Sequence, residues 1–136
     1  MKSVSVCIEV DRFLSQPKGH FIAGKYVVEN HGMTFDVINP ATEEILVEVE
    51  HASDNVINQA VASARQAFYH DWKSVSPYQR GLLLNRFADL IEKYGEEIAQ
   101  LETLSSGKNI KLSRMFEVGQ SAVFLRYFAG WTTKIQ

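Results

Sequence analysis

The apolar and polar positions of the chain change period near residue 50. Before it they alternate or form short apolar runs; after it they recur every three or four residues. "FIAGKYVV" (residues 21–28) sets Ala23-Gly24-Lys25 between β-forming residues, and "MTFDVI" (33–38) and "ILVEVE" (45–50) flank a turn that starts at Asn39-Pro40. Short apolar segments separated by turn residues predict two antiparallel hairpins, a β-ribbon over residues 21–50. In the last strand Ile45, Val47 and Val49 alternate with Leu46, Glu48 and Glu50, so one face can be buried while the other is mostly solvated.

From Ser53 the spacing becomes helical, with Val56, Ile57, Ala60, Val61, Ala64 and Phe68 on one side of a first helix. "SPYQ" (76–79) opens a second: Ser76 can cap it, Pro77 suits its first position, and Gln79 can reach back to complete a capping box. Leu83, Phe87, Leu90, Ile91, Tyr94, Ile98 and Leu101 then keep one stripe. The pattern predicts a single helix running through Gly95, although glycine costs about 1 kcal/mol relative to alanine in a helix interior. A third helix is expected over residues 112–134, with Met115, Val118, Ala122, Leu125, Phe128 and Ala129 on one face. The resulting class is α+β: short antiparallel hairpins followed by three helices within residues 53–136, with no alternation of strand and helix from which to build a parallel cofactor-binding sheet. No internal repeat or low-complexity linker divides it.

Composition narrows the possibilities. The length, 136 residues with 46% hydrophobic content, is enough for a core. Against 16 Asp+Glu there are 14 Lys+Arg, a balance that leaves no basic footprint for nucleic acid or an anionic membrane. The start, "MKSVSVCIEVDRFL", is broken by Glu9 and Asp11, unlike a secretory hydrophobic region, so residues 1–20 are read as a leader without a targeting signal. No window approaches the roughly 18 apolar residues of a membrane span. The single cysteine, Cys7, cannot form an internal disulfide, which fits a reducing, cytoplasmic setting.

Candidate chemistry is sparse. "ETLSSGKN" (102–109) ends in the Gly-Lys of a phosphate-binding loop, but Glu102 stands where that loop needs its first glycine and Asn109 where it needs a hydroxyl. It also follows a helical stripe instead of a strand. The expected role is helix termination, with Gly107 left-handed and Lys108 at the negative end of the helix. His20, His31, His51 and His70 are never four apart on one helix and read as ordinary surface residues. Cys7 has no base nearby in sequence. Glu43-Glu44 and Glu96-Glu97 read as solvated acids, and no Gly-x-Gly-x-x-Gly occurs. The residues alone describe a helix-rich domain without an active site.

Taken in order, several segments resemble the N-terminal part of the NAD(P)-dependent aldehyde dehydrogenase family. They are "FIAGKYV", "FDVINPATEEILVEVEHASDNVINQAVASARQAF", Trp72, "RGLLLNRFADLIEKYGEEIAQLETLSSGK" and "LRYFAGW", which ends at Trp131. The resemblance runs from about Phe21 to the C-terminus and implies an α/β family fold in which this chain is the first part of the cofactor-binding domain. It implies, for a whole enzyme, oxidation of an aldehyde to a carboxylic acid by a cysteine thiolate, with hydride passing to NAD(P) and a glutamate helping water release the acyl group. The family's catalytic Cys, general-base Glu, oxyanion-hole Asn and cofactor loop have no counterparts in these residues, so no catalytic and no cofactor-binding residue is expected here.

What the resemblance assigns to this chain is scaffold. The third helix lines the substrate entrance in the family, which makes Gln120, Phe116 and Phe124 the expected tunnel-lining residues. A family cation site near the carbonyls of Val37 and Ile38 often uses an aspartate where this chain has Ser105; a neutral hydroxyl is a weaker ligand for a hard cation, so no metal is expected. Glu43 stands where the family commonly has glycine, so a positive φ there would be strained. The apolar stripes are expected to meet the remainder of the enzyme, or a second copy of the chain, through Leu83, Phe87, Phe124, Phe128 and Trp131. The alternative expectation is a stand-alone helical interaction or oligomerisation module on the same scaffold.

Overall fold

A computed structural model describes residues 6–29 and 33–135. The ribbon forms two separate antiparallel pairs. β1 (His20–Ile22) and β2 (Lys25–Val27) pair with Phe21 opposite Tyr26, around a two-residue turn in which both Ala23 (φ 52°) and Gly24 (φ 74°) are left-handed. That is the turn whose twist matches its flanking strands, and Ala23 carries its strain. β3 (Thr34–Ile38) and β4 (Ile45–Glu50) pair from Thr34 opposite Glu50 down to Ile38 opposite Ile45, with a register slip between Val37 and Ile38. Their turn closes through the Asn39 carboxamide, which accepts from the Ala41 N–H at 3.0 Å, and through Glu43, whose φ of 61° is the positive value that glycine would take without strain.

The leader contains structure that the sequence pattern left without an element. α1 (Ile8–Leu14) lies against the helix α5 (Gly95–Ser106), with Val10 fully buried and the Cys7 N–H donating to Gln100 Oε1 at 2.8 Å. Seven residues are too few for a helical period to be visible.

α2 (Asp54–Gln66) starts at Ser53, whose hydroxyl accepts from the Val56 N–H at 3.2 Å. A π-helical turn over Ala67–Asp71 and the short α3 (Trp72–Ser74) continue it. α4 (Pro77–Lys93) has both halves of the expected capping box: the Gln79 N–H donates to Ser76 Oγ at 3.3 Å, and the Ser76 N–H to Gln79 Oε1 at 3.0 Å. The expected single second helix is two, because the backbone breaks at Tyr94 (φ −99°, ψ 20°) and α5 starts afresh at Gly95. The reason is tertiary: a Cβ on Gly95 would lie 3.0 Å from Val118 Cγ1, so the glycine makes room for a neighbouring helix. That helix is built from α6 (Ile110–Leu112), a second π-helical turn over Ser113–Val118, and α7 (Gly119–Trp131), so the third helix begins and ends a little earlier than expected.

Small residues form the helical core. α4 crosses α7 closely at Gly81, where a Cβ would sit 3.0 Å from the Ala129 carbonyl oxygen, and Ala88 and Ala122 are fully buried. Leu83, Phe87, Phe124, Phe128 and Trp131 remain exposed. The two antiparallel pairs are the only sheets among the described residues.

Candidate functional site

The residues expected to face a substrate lie on one side of the last helical segment. Phe116, Gln120 and Phe124 follow one another at intervals of four, which keeps them on one face, and all three are exposed, Phe116 to 52% and Phe124 to 59%. Phe128 continues the stripe. On the inward side Ser113, Val118, Ala122 and Ala129 are buried against α4 and α5. Beside the stripe Tyr127 meets Phe128 edge-on, with ring centroids 5.3 Å apart, and Trp131 at 6.1 Å.

Three cations fix how this segment sits, and the sequence pattern had singled out none of these pairings. The Arg126 guanidinium holds Glu92 with two contacts of 2.6 Å and Asp89 with one of 2.7 Å. Arg114 forks onto Glu96 at 2.7 and 2.6 Å, and the Lys108 amine bridges Glu102 at 2.9 Å and Glu117 at 2.6 Å. The planar, two-point contacts of the two arginines hold orientation as well as charge. The Arg114 hydrogen bonds, helped by Gln100, bring the Glu96 carboxyl down to about 2. Hydrogen bonding to Arg126 lowers Glu92, and hydrogen bonding to Lys108 lowers Glu102; Arg126, Arg114 and Lys108 are raised by the same bonds. The carboxylates of Glu96-Glu97 are therefore not equivalent solvated acids. Glu96 is a cross-link, and its partner lies 18 residues away, beyond any local spacing rule.

Gly107 and Lys108 close α5 as expected. Gly107 has φ 74°, its N–H donates to the Thr103 carbonyl at 3.0 Å, and a Cβ there would lie 2.9 Å from Pro40 Cγ of the β3–β4 turn. Lys108 is committed to two carboxylates, and the Ser106 hydroxyl donates to the Glu102 carbonyl at 2.6 Å, so the segment carries neither the free amine nor the free hydroxyl that a phosphate loop uses. The Ser105 hydroxyl donates to the Leu101 carbonyl at 2.9 Å within its own helix. Among the described residues no group of three or more His, Cys, Asp or Glu side chains could hold a metal.

The remaining candidates are dispersed. His20 is half-buried, with Nε2 3.7 Å from the buried carboxylate of Glu50, an ion-pair distance too long for a hydrogen bond. That carboxylate accepts from the Glu29 N–H at 2.9 and 3.0 Å, and the Ser53 hydroxyl donates to the Glu29 carboxylate, so the group ties the ribbon to the start of α2. His51 and His70 are exposed, and His31 lies outside the described residues. Cys7 is half-buried beside α5 and far in sequence from each of these. A concavity of about 540 Å³ is lined by residues that include Ser74, Gln79, Leu83 and Arg86; Gln120 is not among them, and the lining brings no acid–base pair together.

The sequence model of the aldehyde dehydrogenase family matches residues 26–136. This chain belongs to the aldehyde dehydrogenase family. It is 41% identical to an aldehyde dehydrogenase of Alternaria alternata over 136 residues, all of this chain and 27% of that relative. It is 42% identical to a phenylacetaldehyde dehydrogenase of Pseudomonas fluorescens over 123 residues, 90% of this chain and 24% of that protein. The NAD+ complex of an aldehyde dehydrogenase from Bacillus cereus superposes with a TM-score of 0.93 at 38% identity, covering 99% of this chain and 28% of that one. The chain spans about a quarter of the length of the aldehyde dehydrogenases it matches, and the match falls on their N-terminal part. Its hairpins and helices have the arrangement of that part of the aldehyde dehydrogenase fold, in a family with an NAD-bound member.

Proposed function

We propose that this chain is the N-terminal scaffold of an enzyme that oxidises an aldehyde to a carboxylic acid with NAD(P), contributing a wall of the substrate entrance and none of the reacting groups. The observation that carries this reading is the superposition of nearly the whole chain on the first part of an NAD-binding aldehyde dehydrogenase, at an identity of 38%. On this reading Gln120, Phe116 and Phe124 line the aldehyde entrance, where two aromatic faces and one amide select for shape and polarity without moving a proton. The thiolate, the general base and the nicotinamide site belong to the other three quarters of the enzyme, so the chain alone binds no cofactor and turns nothing over. Those quarters are also its partner, seated on the apolar faces of α4 and α7. No helix among the described residues is long and apolar enough to cross a membrane. A cytoplasmic enzyme is the setting that this and the single thiol support.

The test is a hybrid in which this chain replaces the matching quarter of the Bacillus cereus enzyme, assayed for NADH formation with short aliphatic and aromatic aldehydes. The reading expects turnover from the hybrid and none from the chain alone. Turnover by the chain alone, or a folded hybrid that binds NAD+ and oxidises no aldehyde, would overturn it. The stand-alone interaction module has no observation in its favour: every exposed apolar face lies within the match to the longer enzymes.

A further inference from the structure

We infer that the second π-helical turn is a register device for the entrance, and that Thr103, Ser113, Glu96 and Arg114 are positioning residues that hold it. The inference rests on the reading above that Phe116, Gln120 and Phe124 face the aldehyde. The Gly119 N–H bonds to the Arg114 carbonyl, five residues back, so the turn contains one residue more than an α-helical turn. Its consequence is visible in the burial. Ser113 and Val118 are both buried although they are five apart. At about 100° per residue an unbroken α-helix would set them about 140° apart, and one of the two would face solvent. The wide turn returns both to the core, and the ordinary α-helical phase resumes at Ala122 and Ala129.

The phase of the outward stripe is set in the same turn, because Phe116 lies inside it while Gln120 and Phe124 lie after it. α5 holds the turn at three points. Thr103 Oγ1 and Ser113 Oγ lie 3.0 Å apart, with Ser113 fully buried; Arg114 is forked onto Glu96; and Val118 seats against Gly95 at the break between α4 and α5. The break in one helix therefore faces the extra residue in the other. The hydrogen bonds of Thr103 and Glu96 go to Ser113, Arg114 and Gln100 and to no residue of the exposed stripe, yet they decide where Phe116 stands relative to Gln120.

The experiment uses the hybrid enzyme and reads the ratio of kcat/KM for a short aliphatic aldehyde to that for phenylacetaldehyde. Thr103→Val removes the hydroxyl at constant shape, and Thr103→Ser keeps it. Deletion of Met115, an exposed residue of the turn, shortens the turn to α-helical spacing, with Met115→Ala as the control for the lost side chain. Displacing an entrance wall by part of a residue changes discrimination by about threefold or more. That change is expected in Thr103→Val and in the deletion, through KM for the aldehyde, with KM for NAD+ held and Thr103→Ser close to the parent. An active hybrid whose ratio is the same in Thr103→Val as in the parent overturns the register role and leaves the proposed function standing, even if the deletion variant fails to fold. A folded parent hybrid that binds NAD+ and oxidises no aldehyde overturns both.

Discussion

Gly107 offers a stability prediction whose size follows from two separate features of one residue. Its φ of 74° is a conformation that costs an L-residue about 1–2 kcal/mol. A Cβ at this position would also press on Pro40 Cγ at 2.9 Å, so Gly107→Ala must in addition push the β3–β4 turn away from the end of α5. Against this, alanine restricts the unfolded chain more than glycine does, recovering roughly 0.4–1 kcal/mol. The net expectation is a loss of about 2 kcal/mol. With a denaturant slope of about 2 kcal/mol/M for a chain of this size, the urea midpoint of the 136-residue chain, followed by far-ultraviolet ellipticity, should fall by about 1 M. Asparagine tolerates the left-handed region, so Gly107→Asn keeps the contact with Pro40 but relieves the backbone and should lose about half as much. An alanine variant whose midpoint matches the parent would refute the reasoning, because neither the left-handed cap nor the contact with Pro40 would then exist in solution.

Ser76→Ala removes the cap of α4 and should cost about 1 kcal/mol in the same urea experiment, while Ser76→Thr should be nearly neutral; equal losses in both would point to something other than the cap. Glu96 is held near 2 in the folded chain against 4.5 for its ordinary value, so its contribution is fully present above 4.5 and is lost as pH falls through 2. Glu96→Gln should flatten the fall of the urea midpoint between those values, and high salt should shrink the difference because the pair is exposed. An unchanged pH profile would remove the Arg114 cross-link from the account. Expressed alone, the chain should self-associate and bind a hydrophobic dye through Phe87 and Phe128, with Phe87→Glu and Phe128→Glu reducing both; a compact monomer by sedimentation that binds no dye contradicts this.

Local signals in the sequence were sufficient wherever local chemistry decides the structure. The Ser76-Pro77-Gln79 box, the Ser53 cap, Gly107 as a terminator and both hairpins are all set within four or five residues, and each stands where the pattern put it. The break at Tyr94 was not legible, because the apolar stripe does run on through Ile98 and Leu101; what interrupts the backbone is Val118, 23 residues beyond Gly95. The π-helical turns were hidden for the same kind of reason. Their one sequence trace is the five-residue step between Ser113 and Val118, and it looks like noise until burial shows that both face inward. Of the candidate site, Phe116, Gln120 and Phe124 came only from the resemblance; the structure adds that all three are exposed on the last helical segment. The forked contacts of Arg126 and Arg114 span 34 and 18 residues and leave no mark on any local window.

The distribution of residue sizes bears on whether the chain is a domain in its own right. A self-sufficient helical domain places its leucines and phenylalanines inward, since each fully buried one stabilises by about 1.5–3 kcal/mol. Here the arrangement is inverted. The seam between α4 and α7 is Gly81, Ala88, Ala122 and Ala129, while Leu83, Phe87, Phe124 and Phe128 face outward on the same two helices. The small seam lets the helices approach closely, and the Arg126 fork onto Glu92 locks their rotation, so the large side chains are presented at fixed angles. A pair of helices rigidly cross-linked through small residues, with its bulk turned out, is organised to be covered on its outer faces. The chain spans about a quarter of the aldehyde dehydrogenases it matches, and on the proposed reading the other three quarters are that cover, so the same inversion that would weaken an independent module fits one wall of a longer enzyme.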